Sequence, residues 1–94
     1  MKKFVYPAVV YYDEDNKIYV AYIEELGLVA EGKTMEEVHN RIEEYLFQYL
    51  YTSISFDMEI PTPTSFESVQ NKYSKNKVVL VGAQLDIQEI KKRT

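Results

Sequence analysis

Three observations predict an α+β fold in the order β-β-β-α-β, a small sheet with one long helix packed on a face. Two neighbouring runs, Phe4 to Tyr12 and Ile18 to Ile23, are filled with β-branched and aromatic residues. A segment opened by Thr34 then repeats apolar residues at three- and four-residue steps. A last run, Val78 to Ala83, returns to strand composition. At 94 residues the chain makes one domain, near the lower limit for a self-sufficient core.

Each element has its own justification. In the first strand Pro7 lacks a backbone donor, which places it at an edge position or near the strand's start. Asp13-Glu14-Asp15-Asn16-Lys17 is a polar turn long enough to close a hairpin. The next strand alternates Ile18, Val20 and Tyr22 with Tyr19, Ala21 and Ile23. Both faces are apolar, so it is expected to be central, with a helix over at least one of them. After the short Glu24-Glu25-Leu26-Gly27 connection, Leu28-Val29-Ala30 reads as a brief third strand, and Gly32-Lys33 leads into the helix.

Thr34-Met35-Glu36-Glu37 fits a capping box, with the Thr34 hydroxyl accepting from the Glu37 amide and the Glu37 carboxylate reaching back. Glu36 and Glu37 also suit the positive end of the helix dipole. The helix is expected to bury Met35, Val38, Ile42, Tyr45, Leu46, Tyr49 and Leu50, and to leave Glu37, Arg41, Glu44 and Gln48 wet. Phe47 and Tyr51 add a second apolar stripe. Two accounts fit that stripe: the helix end lies under the following loop, or the two rings meet a partner.

Residues 52 to 77 are the least regular. Ile60-Pro61-Thr62-Pro63-Thr64-Ser65 is extended, because each proline disfavours the α region for its predecessor. Gln70 to Lys77 reads as a polar loop. The last strand is apolar enough for burial on both faces, and Asp86 is placed to cap a short helix running to Lys92.

Composition narrows the function. The chain has no cysteine, which excludes disulfides and thiolate zinc sites and makes a cytoplasmic setting the default. Its N-terminus is not a signal peptide, and no stretch approaches the roughly 18 apolar residues of a membrane span. Charge is divided unevenly. Residues 13 to 67 carry thirteen acids against Lys17, Lys33 and Arg41, whereas residues 72 to 94 carry six bases against Asp86 and Glu89. Such an acidic body repels nucleic acid and attracts a basic partner, although small domains are also acidic simply for solubility. Nine tyrosines concentrate amphipathic area of the kind that serves interfaces.

Catalytic chemistry finds no constellation. The single histidine, His39, has no cysteine to pair with and no carboxylate at a metal-ligand spacing, which leaves it a surface or boundary role. Glu36, Glu37, Glu43 and Glu44, with Asp13, Glu14 and Asp15, are acids of the kind that hold magnesium. They fall in turns and on the wet helix face, which reads as solvated surface. The three glycines form no phosphate loop. No catalytic residue, metal site or cofactor is expected.

The ordered set of motifs resembles the HicB antitoxin family of bacterial toxin–antitoxin pairs. The matching pieces are Tyr6-Pro7-Ala8-Val9-Val10, the Asp13-Glu14-Asp15 turn, Tyr19-Val20, and Gly27 with Gly32 before the helix opening at Thr34. Glu59-Ile60-Pro61-Thr62-Pro63-Thr64-Ser65 and the closing strand with Leu85-Asp86-Ile87 complete the set. Ile23-Glu24-Glu25-Leu26-Gly27-Leu28 departs from the family's usual Pro-Asp-Leu-Pro-Gly-Cys, lacking both prolines and the cysteine. Many members continue into a DNA-binding domain. The sequence given ends at Lys91-Lys92-Arg93-Thr94, as either a fragment or a short form, so residues 1–94 are expected to form a single HicB-like domain without a separate DNA-binding domain.

The resemblance implies a partial ribonuclease-H-like fold, a homodimer or higher oligomer, and a HicA-like toxin partner, a small basic ribonuclease whose active surface is covered. No direct nucleic-acid binding by this chain alone is expected. Asp13, Glu14 and Asp15, the Glu24-Glu25 loop, Tyr11, and the helix residues Phe47 and Tyr51 are the candidate partner-binding positions. The competing reading is an orphan HicB-like domain acting as a homo-oligomeric scaffold or small-ligand binder.

Overall fold

The chain opens with a long hairpin that organises everything after it. In the computed structural model, which describes residues 1–93, β1 (Lys2–Asp13) turns back into β2 (Ile18–Ile23), with Val9 opposite Tyr22 and Asp13 opposite Ile18. A 3-10 turn (Glu24–Leu26) then leads to β3 (Leu28–Gly32) and the long helix α1 (Met35–Ser55). α2 (Phe66–Lys72), β4 (Lys77–Leu85) and α3 (Ile87–Lys92) follow. All four strands form one antiparallel sheet in the order β3-β2-β1-β4. Thr94, the end of the expected basic tail, lies outside the described residues. No helix among the described residues is long and apolar enough to cross a membrane.

Strand alternation assigns the core to one sheet face. Phe4, Tyr6, Ala8 and Val10 of β1, Ala21 and Ile23 of β2, Ala30 of β3, and Val81 and Leu85 of β4 are buried together with α1. From the helix come Val38, Ile42, Leu46, Leu50 and Ile54, one apolar stripe at three- and four-residue steps. Burial of this stripe is the main term favouring the fold.

Both predicted caps are present. The Thr34 hydroxyl accepts from the Glu37 amide at 3.0 Å, and the Asp86 carboxylate accepts from the Glu89 amide at 3.1 Å. Only half of the capping box forms, because the Glu37 carboxylate pairs with Arg41 at 3.1 Å instead of reaching back.

Tertiary packing corrects several expectations. Tyr45, expected in the core, is 39% exposed, since α1 rotates the narrower Val38–Ile42–Leu46–Leu50 line toward the sheet. Part of the expected loop region is helix: α2 begins at Phe66, with the Ser65 hydroxyl accepting from the Ser68 amide. β4 is an edge strand, and Leu80 on it is 53% exposed, so burial on both faces is not achieved. β1 is internal, contrary to a simple edge assignment from Pro7. Its pairing with β2 starts only at Val9, however, which leaves the flank beside Pro7 unpaired.

Candidate functional site

The candidate positions fall in three separate places. Asp13, Glu14 and Asp15 form the hairpin turn, and Glu24 and Glu25 lie beyond the opposite end of β2. At the rise of an extended strand, that separation is about 20 Å. Phe47 and Tyr51 lie on α1 near β4 and α3. The seven sequence-predicted acids and rings other than Tyr11 therefore do not converge, and no group of three or more His, Cys, Asp or Glu side chains among the described residues is placed to hold a metal.

In the hairpin turn one acid has a structural task. The Asp13 carboxylate accepts from the amides of Asp15 and Asn16 at 3.0 and 3.2 Å, and from the Asn16 side chain at 2.9 Å. Those donors, Asn16 foremost, hold its carboxyl below the usual carboxylate range. Lys17 completes the turn in the left-handed region, with φ of 56°. Glu14 and Asp15 stay exposed on a turn braced by these hydrogen bonds.

The 3-10 turn ends in a left-handed Gly27, with φ of 66°, and its acids do something the sequence did not reveal. The Glu24 carboxylate accepts from Lys72 at 2.8 Å and from the Tyr73 hydroxyl at 3.0 Å. Glu25 accepts from the Thr64 amide at 2.9 Å, and from the Thr64 hydroxyl. Together they clasp residues 64 to 73 across the sheet face opposite α1. The Tyr6 hydroxyl, which donates to the Pro61 carbonyl at 2.7 Å, anchors the preceding turn of chain from the core side. Burial first, then Glu25 and Tyr49, pushes the Tyr6 phenol up.

Under that strap the tyrosines form a ladder. Tyr11 meets Tyr22 edge-on at 6.2 Å between centroids, and Tyr22 meets Tyr73 at 5.8 Å. Burial, then the hydrogen bond with Tyr73, pushes the Tyr22 phenol up to about 12. Tyr11 thus joins two rings that sequence reasoning had not selected. Period-two alternation and the hairpin register would have placed Tyr22 beside it, but Tyr73 enters only through the strap.

Lys72 and Tyr73 hold the Glu24 carboxyl below its ordinary value of 4.5. A carboxyl depressed in the folded state contributes stability above its unfolded pKa and loses it as pH falls through the lower folded value. Acidification below about 4.5 is therefore expected to release the strap before the core melts. The Tyr73 ring signals in NMR spectra should shift toward those of Glu24→Gln, which shows the released state already at neutral pH. Identical acid titrations of wild type and variant would rule out the clasp as the pH-sensitive element.

On α1, Phe47 and Tyr51 stack at 6.2 Å and remain 45% and 37% exposed. They border β4 and α3, while Met58 of the loop that follows the helix lies beside Tyr49, Thr52 and Ser53 at the helix end. His39 stands 3.9 Å from Glu43 on the exposed side of α1, as a boundary role requires.

Residues 6–94 match the family model described as the HicB-like antitoxin of bacterial toxin–antitoxin systems. No curated protein matches the chain. Among solved structures, the N-terminal domain of Burkholderia pseudomallei antitoxin HicB superposes with a TM-score of 0.76 at 17% identity, over 87% of this chain and 100% of that one. A second structure of the Burkholderia pseudomallei antitoxin HicB gives 0.75 at 18% identity, over 89% of this chain and 66% of that one. A chain of a toxin–antitoxin complex from Streptococcus pneumoniae gives 0.74 at 19% identity, over 94% and 72%. At such identities the structural likeness speaks for the fold, and the sequence match speaks for the family. The chain belongs to the HicB-like antitoxin family of bacterial toxin–antitoxin systems.

Proposed function

We propose that this chain is a binding protein that neutralises a small basic toxin ribonuclease of the HicA type by covering its RNA-binding surface. The observation that carries this reading is the family match over residues 6–94. The Streptococcus pneumoniae neighbour comes from a toxin–antitoxin complex, which fits it. The physical support is the charge of the body, thirteen acids against three bases between residues 13 and 67. An acidic surface competes with RNA phosphates for a basic one and speeds encounter through long-range attraction.

Exposure supports some of the candidate contacts more than others. Glu14 and Asp15 are exposed on a fixed turn with Tyr11 and Tyr12 at its base, so they serve as the steering acids. Glu24 and Glu25 are already occupied by the strap and contribute shape more than charge. In this reading residues 1–94 act as one binding unit in the cytoplasm, without catalysis and without direct nucleic-acid contact.

The test is co-expression with the small basic protein encoded beside this chain, followed by pull-down and an RNA-cleavage assay. A salt-sensitive complex that silences cleavage is expected. Glu14→Lys combined with Asp15→Lys should slow association on the order of ten-fold at low salt, with the difference shrinking as the Debye length contracts. A complex indifferent to both salt and charge reversal would remove the electrostatic mechanism. Failure to form any complex would remove the antitoxin reading itself.

A further inference from the structure

Pro7 fixes which backbone groups of β1 face which neighbour. β1 pairs with β4 without a break from Lys2 to Val10, and Pro7 lies inside that run opposite Leu80. Proline has no amide hydrogen, so an unbroken ladder can pass it only where the backbone nitrogen points away from the partner strand. Alternation then sends the main-chain groups of Tyr6 and Ala8 to β4, and those of Lys3, Val5, Pro7 and Val9 to the other side. Val9 finds β2 there, opposite Tyr22, but the pairing with β2 reaches no further. The Val5 amide and the carbonyls of Val5 and Pro7 therefore face a flank without a strand, although Pro7 itself is buried. No loop amide or carbonyl among the described residues pairs with them.

Backbone groups in the middle of a sheet ordinarily have partners. The chain that passes this flank is poorly able to supply them, because it runs through Pro61 and Pro63, two residues with no amide hydrogen. Between it and β1 lies a cleft of about 380 Å³, bordered by Lys2, Lys3, Val5, Ile60, Pro61 and Pro63. A second cleft, of about 290 Å³, surrounds Pro7 and Val9 beside Glu24 and Glu25. We propose that this flank is a peptide slot: an extended segment of another protein adds to β1 beyond the end of β2, bonding through its main chain to Val5 and Pro7.

Charge fixes the chemistry and direction of that segment. Lys2 and Lys3 stand at one end of the slot, and neither takes part in an ion pair among the described residues. Glu24 and Glu25 stand at the other end. A segment antiparallel to β1, as β2 is, brings its C-terminal end to the lysines and its N-terminal end to the acids. The occupant is therefore an extended apolar peptide with acidic residues, its own carboxylate included, at the C-terminal end. From Lys3 to Pro7 the flank spans about 13 Å, the length of about four residues. Lys91, Lys92 and Arg93 of this chain carry the opposite sign, so they are not the complement of this slot.

An acidic peptide in this slot is a different partner from the basic toxin at the hairpin turn, so the two readings stand or fall separately. The test uses the purified chain and a synthetic peptide, acetyl-Val-Thr-Val-Asp-Asp with a free C-terminus. In the chain alone, the Val5 amide is expected to exchange hydrogen about ten-fold faster, or more, than those of Tyr6 and Ala8, which face β4. Adding the peptide should slow Val5 exchange by a similar factor and shift its NMR signal. Lys2→Glu combined with Lys3→Glu should weaken binding on the order of ten-fold, and a peptide ending in Lys-Lys should not bind. Val5→Pro should keep the sheet, as Pro7 does, and lose the peptide. The exchange rates and the charge reversal decide the matter without that variant. A Val5 amide as protected as that of Tyr6 in the chain alone overturns the inference. So does a peptide that leaves Val5 exchange unchanged, or binding indifferent to the charge reversal.

Discussion

Leu46→Ala is expected to destabilise the domain by about 2–5 kcal/mol and to lower its unfolding midpoint by roughly 10–30 °C. Leu46 lies midway along α1 and is fully buried, within the line Val38, Ile42, Leu46 and Leu50. The upper half of that range is the expectation, because of what lies beneath the helix. Ala8, Ala21 and Ala30 are buried on the sheet face that α1 covers, and short side chains cannot swing in to fill a void. Such a loss is a large fraction of the 5–15 kcal/mol typical of a domain. Tyr45→Ala on the same helix is the control, since that ring is 39% exposed and its removal opens no cavity. Thermal melts followed by circular dichroism decide the matter: a loss below about 1 kcal/mol for Leu46→Ala would mean that α1 resettles on the sheet.

Gly32→Ala is expected to cost about 2–3 kcal/mol through a different mechanism. A methyl group at position 32 would lie 2.7 Å from the Val38 amide nitrogen and 3.0 Å from its Cα. Both atoms belong to the first turn of α1, so relief requires the helix itself to move away from β3. The other two glycines separate this effect from ordinary glycine replacement. Gly27 has open space around it but a φ of 66°, so alanine there pays only backbone strain of about 1 kcal/mol. Gly82 has nothing nearer than 3.5 Å, and Gly82→Ala should be close to neutral in the monomer. The expected order of melting midpoints is therefore Gly82→Ala highest, Gly27→Ala next and Gly32→Ala lowest. Any order with Gly32→Ala above Gly27→Ala would show that the β3–α1 junction is looser than its geometry states.

These predictions reach beyond the core because the same packing fixes the hairpin turn and the strap. Gly32 lies opposite Tyr19 in the β2–β3 register, next to the Tyr12–Tyr19 ring contact at 5.0 Å. A shift at the β3–α1 junction would thus reach the base of the turn that carries Glu14 and Asp15. The strap guards the other end of the sheet, where Glu24 and Glu25 are drawn inward. An acidic count read from the sequence overstates the acids left without partners, because three of the candidate acids, Asp13, Glu24 and Glu25, accept hydrogen bonds within the fold.

How far the sequence carried each element depended on how local its cause was. The hairpin, the α1 start at Thr34 and the α3 start at Asp86 follow from turn composition, alternation and capping residues within a few positions of one another. α2 was missed because seven residues without an apolar period nucleate no helix alone. It exists because Tyr73 docks on Tyr22 and Lys72 reaches Glu24, groups 51 and 48 positions away in the chain. Tyr45 was misassigned because the period marks an apolar stripe without saying where the sheet will cut it.

The sequence by itself determined the order of the four strands with α1 and α3, the family and the sign of the charge, since each rests on residue type and near-neighbour spacing. Only the tertiary structure decided which acids face solvent, why position 32 must be glycine and which flank of β1 is left unpaired. Those depend on groups far apart in the chain meeting at distances of a few ångströms, and no local pattern encodes such a meeting.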